Sequence, residues 1–273
     1  MALTVNTNMT SLYSQGYLAN TTGKLQNTFN RISSGLRITR AGDDAAGLAV
    51  AENLDATSRS LRQAARNTND GISVIQTAEG ATNEVANILK RMRELAVQSA
   101  SDTMANTERV FIDDEYQQLV SEIDRIANVT NFNGVNLADG SGNIDVQVGA
   151  ENSANDLITV ITGDLRSTAL ALPANLLTSA DARTALDDLD TAMNTVNSVR
   201  SNFGAVQNRL ESTLRNLTTY TENLMAAESR IRDADFAFES SEMTKYQTMQ
   251  QAGTAILAQA NQLTQSSLQL IGG

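Results

Sequence analysis

Neither histidine nor cysteine occurs anywhere in the 273 residues. Without cysteine there is no disulfide framework and no thiolate chemistry. Without histidine the commonest metal ligand and the commonest general base are both missing. Tryptophan is absent as well, aromatic residues make up 4% of the chain, and Pro173 is the one proline. A chain that is 41% hydrophobic with so few rings must build its core from Leu, Ile, Val, Ala and Met, which suits helix packing. With one proline, almost nothing interrupts long helices. No stretch approaches the roughly 20 apolar residues of a membrane span, so no membrane insertion is expected. The first residues, MALTVNTNMTSLYSQGYLAN, lack the basic and apolar regions of a cleaved secretory signal. Basic charge is also scarce: the net charge of −11 argues against nucleic acid and anionic lipid as partners. No phosphate-binding loop or aromatic pocket is legible, so neither an enzyme nor a bound cofactor or metal is expected.

Charge is missing most conspicuously at the two ends. Residues 1–40 hold Lys24, Arg31, Arg37 and Arg40 and no acid, and residues 243–273 hold Lys245 alone. The acidic excess therefore lies in the middle. Ends poor in charge fit burial on assembly, because desolvated charge is costly. Both ends also carry heptad patterns. In the tail, Met249, Ile256, Leu263 and Leu270 recur every seven residues, and Tyr246, Gly253, Ala260 and Ser267 form a second row at the same interval. Large and small rows side by side read as a coiled-coil seam. At the other end Val5, Met9, Leu12 and Gly16 step by four, three and four. After a slip, Leu25, Phe29, Ile32 and Leu36 repeat those steps, giving a second seam placed to pair with the first.

Between the ends the chain reads as long helices with one excursion. The pattern falters at Ser33-Ser34-Gly35, and Ala41-Gly42-Asp43-Asp44 reads as a break followed by a new helix with acids in its first turn. From Asp44 to about Ser99 the apolar stripe runs through Leu61, Ala65, Thr68, Ile72 and Ile75, then Val85, Ile88, Met92 and Leu95. A helix of that length spans roughly 80 Å, right for a rod. A polar turn at 99–106 precedes a second helix carrying Ile112, Tyr116, Leu119, Ile123 and Ile126 and ending near Val129. Turn chemistry at Phe132-Asn133-Gly134 and Asp139-Gly140 then gives way to alternating Ile144, Val146 and Val148 and to the β-branched run 157–162, a hairpin near 143–162. Thr178 with Asp181 looks like the cap of a third long helix, striped by Leu186, Leu189, Met193, Val196, Leu210, Leu214 and Leu217. The expected fold is mainly α: a long-helix rod or coiled-coil bundle with a small β-hairpin and with its N- and C-terminal helices paired.

The motifs along this frame are RISSGLRI from Arg31, AGDDAAGLAVAENL from Ala41, NDGISVIQTAEGA from Asn69, RMRELAVQSA from Arg91, EIDRIA with NFNGVNL from Glu122, GAVQNRL from Gly204, and AESRIRDADFAFE with QQAGTAILAQANQ from Ala227. Through them the chain resembles the bacterial flagellins over almost its whole length. Many flagellins insert large outer domains after the hairpin. Here only residues 163–179 separate hairpin from helix, so the resemblance is to a core-only member. The resemblance implies an inner coiled-coil domain of residues 1–42 plus 243–273 and a rod-shaped outer-core domain of residues 43–242. It implies a structural subunit that polymerises into the flagellar filament for swimming motility, with a hook–filament junction protein as the alternative. Partners implied are further copies of the chain, a flagellar export chaperone, and cap and junction proteins. Secretion through the flagellar type III pathway, without a cleaved signal, is implied with them.

Residues singled out for self-assembly are Val5, Met9, Leu12, Leu25, Phe29, Ile32, Leu36, Met249, Ile256, Leu263 and Leu270. By the resemblance, Arg91, Leu95 and Glu115 match the surface that a host Toll-like receptor reads in many flagellins. The plainer reading of the same face is subunit packing, and Lys90 stands where many receptor-active members have Gln. The pairs Asp43-Asp44, Asp113-Asp114 and Asp187-Asp188 have no His, Cys or metal partner and read as solvated surface or helix starts. Asn8, Asn20, Asn128 and Asn216 begin N-x-Ser/Thr triplets that read as chance occurrences.

Overall fold

Caps and breaks set the element boundaries. In this computed structural model, residues 7–271 are described, with side chains as far as Gln262. Helix α1 runs Met9–Ser34; Asn8 caps its start by accepting from Ser11 N, and Gly35, in the left-handed conformation at φ 73°, closes its end. Helix α2 spans Ala45–Ser99, α3 Asn106–Val129, α4 Ser179–Arg232 and α5 Phe236–Ile271. The acids expected in the first turn of α2 sit just before it instead. Asp44 Oδ1 accepts from Gly47 N at 2.9 Å, while Asp43 Oδ2 accepts from Thr39 N, Thr39 Oγ1 and Arg40 N and so folds the preceding loop. These bonds, the one from Thr39 N first, hold the Asp43 carboxyl below its ordinary pKa. Thr178 Oγ1 accepts from Asp181 N at 3.1 Å, the expected cap of α4. Asp235 Oδ1 accepts from Ala237 N and Phe238 N and starts α5.

Two antiparallel strand pairs lie between α3 and α4. The expected hairpin is strand β3, Ile144–Gln147, against strand β4, Leu157–Val160, in the register Val146 to Ile158. A smaller pair was not foreseen. Strands β1, Asn131–Phe132, and β2, Val135–Asn136, flank Asn133 and Gly134, both at positive φ. Asn-Gly supplies the turn that matches strand twist in the shortest hairpins.

The chain divides into two compact units. One combines the residues up to Ala56 with those from Asn223 on, and the other is Thr57–Glu222. In the second unit Leu89, Met92 and Leu95 of α2 pack with Ile112, Tyr116 and Ile123 of α3 and with Leu189 and Val196 of α4. A neighbouring cluster sets Val146 and Ile158 of the β3–β4 hairpin on Val74 and Ile75 of α2 and on Phe203 and Leu210 of α4. Gly71 makes that contact possible, since a Cβ there would meet Val146 Cγ2 at 2.9 Å.

Polar groups hold the connections of this unit in place. Arg109 is 5% exposed, and its guanidinium donates to Ser99 O at 2.9 Å, Ser101 O at 2.8 Å and Asn106 Oδ1 at 2.7 Å. It thereby satisfies carbonyls left open at the end of α2. Asp113 and Asp124 are not idle surface acids. Asp113 Oδ1 accepts from Leu176 N at 2.7 Å, and Asp124 accepts from Ser167 N and Ser167 Oγ at 2.8 Å each, tying the 163–178 loop to α3. Fully buried Tyr116 donates to Pro173 O at 2.9 Å; burial first, then Asp113 and Asp188, pushes its phenol pKa up. Arg109→Ala should lower the stability of this unit by about 3 kcal/mol, because buried carbonyls lose a charged donor. Arg109→Lys, lacking the planar fork, should restore only part. A urea midpoint shift at unchanged slope is the expected result.

Candidate self-assembly interface

Helices α1 and α5 lie antiparallel, and three contacts mark their alignment. Asn8 Nδ2 donates to Ala260 O at 3.0 Å at one end. Leu18 Cδ1 lies 3.3 Å from where a Cβ on Gly253 would stand. At the other end Arg31 Nη1 meets Glu239 Oε1 at 3.2 Å, and that carboxylate side chain is 6% exposed. The covered positions of α1 are Ser11, Ser14, Leu18, Thr21, Leu25, Thr28 and Ile32, stepping by three and four. Those of α5 are Glu239, Met243, Tyr246, Gln250, Gly253, Leu257 and Ala260, again by three and four. These are heptad stripes, built mostly from small and polar side chains.

Five of the large residues expected in the seam lie elsewhere. Met9, Leu12, Phe29, Met249 and Ile256 are 49–59% exposed. Leu25, Ile32 and Leu36 are half-buried. Val5 lies outside the described residues, as do the side chains of Leu263 and Leu270. The reason is angular. Each exposed residue of this row from Leu12 onward is one position from a covered one, about 100° around the helix. The offset also divides the row between two sides. Leu12 and Phe29 follow the covered Ser11 and Thr28, whereas Tyr13 and Tyr17 precede Ser14 and Leu18. Tyr17 shares a groove of about 280 Å³ with Ser14, Leu18, Thr21, Met249, Ala252, Gly253 and Ile256. The pair is therefore apolar on opposite faces, with its slim stripe between them. Exposed apolar patches of this kind mark interaction surfaces.

The receptor-surface candidates separate. Arg91 donates from Nε and Nη2 to Glu115 Oε1 at 2.9 and 2.8 Å and from Nη1 to Glu94 at 3.0 Å, an open cluster bridging α2 and α3. Leu95 is 2% exposed and belongs to the core. It stands one turn beyond Arg91 on nearly the same line of α2, but its side chain is covered by the core. Nearby, Arg93 makes a forked contact with Asp190 at 2.7 and 3.3 Å, and its hydrogen bonds hold the Asp190 carboxyl below its ordinary pKa. Asp139 accepts from Asn136 Nδ2 and Ser141 N, as a plain turn does. No cluster of metal-ligating side chains occurs among the described residues. Asn20, Asn128 and Asn216 lie within helices, and Asn8 is spent on capping α1 and on Ala260.

Two long helical regions flanking a short excursion also define what the chain is similar to. The family described as the bacterial flagellin N-terminal helical region matches residues 5–143, and that of the C-terminal helical region matches residues 186–271. The chain belongs to the bacterial flagellin family. It is 49% identical to a flagellin of Halalkalibacterium halodurans over 248 residues, 90% of this chain and 91% of that one. It is 41% identical over 285 residues to the flagellar filament 33 kDa core protein of Treponema phagedenis, covering 98% and 99% of the two chains. The crystal structure of Bacillus cereus flagellin matches at a TM-score of 0.51 and 37% identity, over 60% of this chain and 94% of that one. This flagellin is a core member without embedded domains, a structural subunit and not an enzyme. No helix among its described residues is long and apolar enough to cross a membrane.

The close approach at Gly253 is directly testable. Gly253→Val should weaken the α1–α5 pair by about 1–3 kcal/mol through overpacking against Leu18. Gly253→Ala should cost less, and Leu18→Ala combined with Gly253→Val should recover most of the loss. Amide-exchange protection along α1 reports each variant.

Proposed function

We propose that this flagellin polymerises into the flagellar filament through the two exposed apolar faces of its α1–α5 pair. The observation that carries the reading is their opposition. A single face could be closed by one partner in an isologous dimer. Two unlike faces on opposite sides bind head to tail, and such a contact builds an open helical polymer when its rotation does not close. In this reading residues 1–42 and 243–273 form the inner coiled-coil domain and residues 43–242 the rod-shaped outer-core domain. Val5, Leu263 and Leu270, outside the described side chains, continue the same row in the sequence alone.

The finer partners follow from the same reading. An apolar surface that must reach the growing tip uncovered needs an export chaperone before secretion and cap and junction proteins at its destination. The destination is the extracellular filament, reached by the flagellar type III pathway. Arg91 and Glu115 remain the candidates for contact with a host Toll-like receptor, on a face that also serves subunit packing.

Deleting 243–273 should abolish seeded polymerisation and leave the 57–222 unit folded by circular dichroism; growth of the truncated chain on filament seeds would refute the reading. Leu12→Ser with Ile256→Ser should raise the critical concentration for seeded growth about tenfold or more, since each buried leucine-sized side chain is worth about 1.5–3 kcal/mol. Pairing of α1 with α5 should survive. For the receptor surface, Arg91→Ala should lower activation by monomeric protein in a receptor reporter assay. An unchanged response would remove the Arg91–Glu115 cluster from the contact.

A further inference from the structure

The stripes that join α1 to α5 repeat too regularly to choose their own alignment. As observed, Leu18 lies over Gly253, which brings Leu25 toward Tyr246 and Ser11 toward Ala260. A slip by one heptad would set Leu18 over Ala260 and Leu25 over Gly253. Large would still meet small, and Tyr246 would exchange Leu25 for Ile32. The packing therefore gives no preference for the observed register. Shifts of a whole heptad keep the same faces together, so the stripe's periodicity cannot forbid them either.

What does discriminate lies at the foot of the pair. Just beyond α1 and just before α5 the chain makes a short antiparallel bridge between Leu36 and Asp233. Ala234 N donates to Gly35 O at 2.9 Å, Arg37 N donates to Arg232 O at 2.7 Å, and Arg37 Nη2 reaches Ile231 O at 2.5 Å. One turn further in, Arg31 meets Glu239, the one acid in either covered stripe and 4% exposed. The slipped alignment would pull Glu239 from Arg31 and break the bridge, and a buried carboxylate without its partner is strongly disfavoured. A polar group buried at one position of a heptad stripe is a well-attested way to set register.

We propose that this clasp, the 35–37 and 232–234 bridge with the Arg31–Glu239 ion pair, sets the register of the α1–α5 pair, and that the stripe only zips along it. The register also sets the composition of the outer face, because a slip by one heptad would take Met249 out of the groove it shares with Tyr17 and Ile256. The inference concerns the chain itself and does not depend on polymerisation.

The absence of cysteine allows a clean test by disulfide trapping in the full-length chain. Thr21→Cys with Gln250→Cys reports the observed register, and Thr21→Cys with Leu257→Cys reports the slipped one. Both are read as single-chain cross-links, in whichever state, free or polymerised, the first pair traps efficiently. Ala234→Pro removes the donor to Gly35 O, and Glu239→Gln removes the buried charge while keeping a side chain like the Gln250 already in the stripe. With both changes, the ratio of observed to slipped cross-link should fall about tenfold or more. The exchange Arg31→Glu with Glu239→Arg, with Ala234 kept, should hold the original ratio. An unchanged ratio in the Ala234→Pro, Glu239→Gln chain would overturn the proposal. Loss of both cross-links would overturn it too, since the clasp would then be holding the helices together rather than choosing their alignment.

Discussion

The contact between α1 and α5 alternates large and slim side chains, and that pattern shapes the rest of the terminal unit. Serine, threonine, glycine and alanine share the covered positions with Leu18, Leu25, Ile32, Met243, Tyr246 and Leu257, so only part of the stripe buries large apolar groups. At about 25 cal/mol per Å² of apolar surface, such a stripe contributes much less than one of leucines would. The bulky residues are present, one position away, and face outward. An isolated coiled coil gains by the opposite arrangement. Here part of the apolar bulk, Met9, Leu12, Phe29, Met249 and Ile256, stays outside the contact. The exposed surface follows from the choice of which heptad row turns inward.

The 57–222 unit follows the usual economy of a self-sufficient fold. Its large aliphatic residues are inside, Tyr116 has a carbonyl for its hydroxyl, and its loop is tied down by carboxylates accepting backbone N–H groups. Arg109 shows how strictly polar groups are accounted for: a buried guanidinium is tolerated because each of its three nitrogens has an acceptor. Among the described residues nothing comparable occurs along the covered stripe of the α1–α5 pair, whose polar contacts lie at Asn8 and at the clasp. Determinants gathered at one end survive changes along the rest of the stripe.

What could be read from sequence was local in origin. The break at Gly35, the Thr178 cap and the β3–β4 hairpin follow from chemistry within a few residues, and each stands where that chemistry put it. The flagellin motifs supplied the family. What could not be read depended on partners distant in the chain. Two heptad rows one residue apart look alike until the facing helix is known, and hydrophobicity favours the row of large residues whichever row turns inward. Leu95 shares a spacing with Arg91 but not an environment. Asp113 and Asp124 carry no sign in sequence of the loop amides they accept from, and Arg109 reads as one more surface cation. The β1–β2 pair had its signal in Asn133-Gly134, but two-residue strands give no alternation to detect.

A regular seam has a consequence that its weakness alone does not. Any heptad stripe of alternating large and small residues can be shifted by seven with its contacts nearly intact, and the more uniform the stripe, the smaller the difference between alignments. Uniformity makes pairing easy and alignment ambiguous. For a chain whose outer faces are composites of both helices, a shifted alignment changes the face, because Met249 would leave the groove beside Tyr17 and Ile256 would take its place. Placing a buried charge and a backbone bridge at one end removes the ambiguity without adding bulk along the stripe. The clasp is also where both chain directions leave the pair, at Gly35 and Asp235, so the alignment is fixed at the point that the rest of the protein already constrains. Slim contacts, outward-facing bulk and a charged foot are thus three parts of one arrangement: the first leaves the faces free, the second gives them affinity, and the third keeps them the same in every copy.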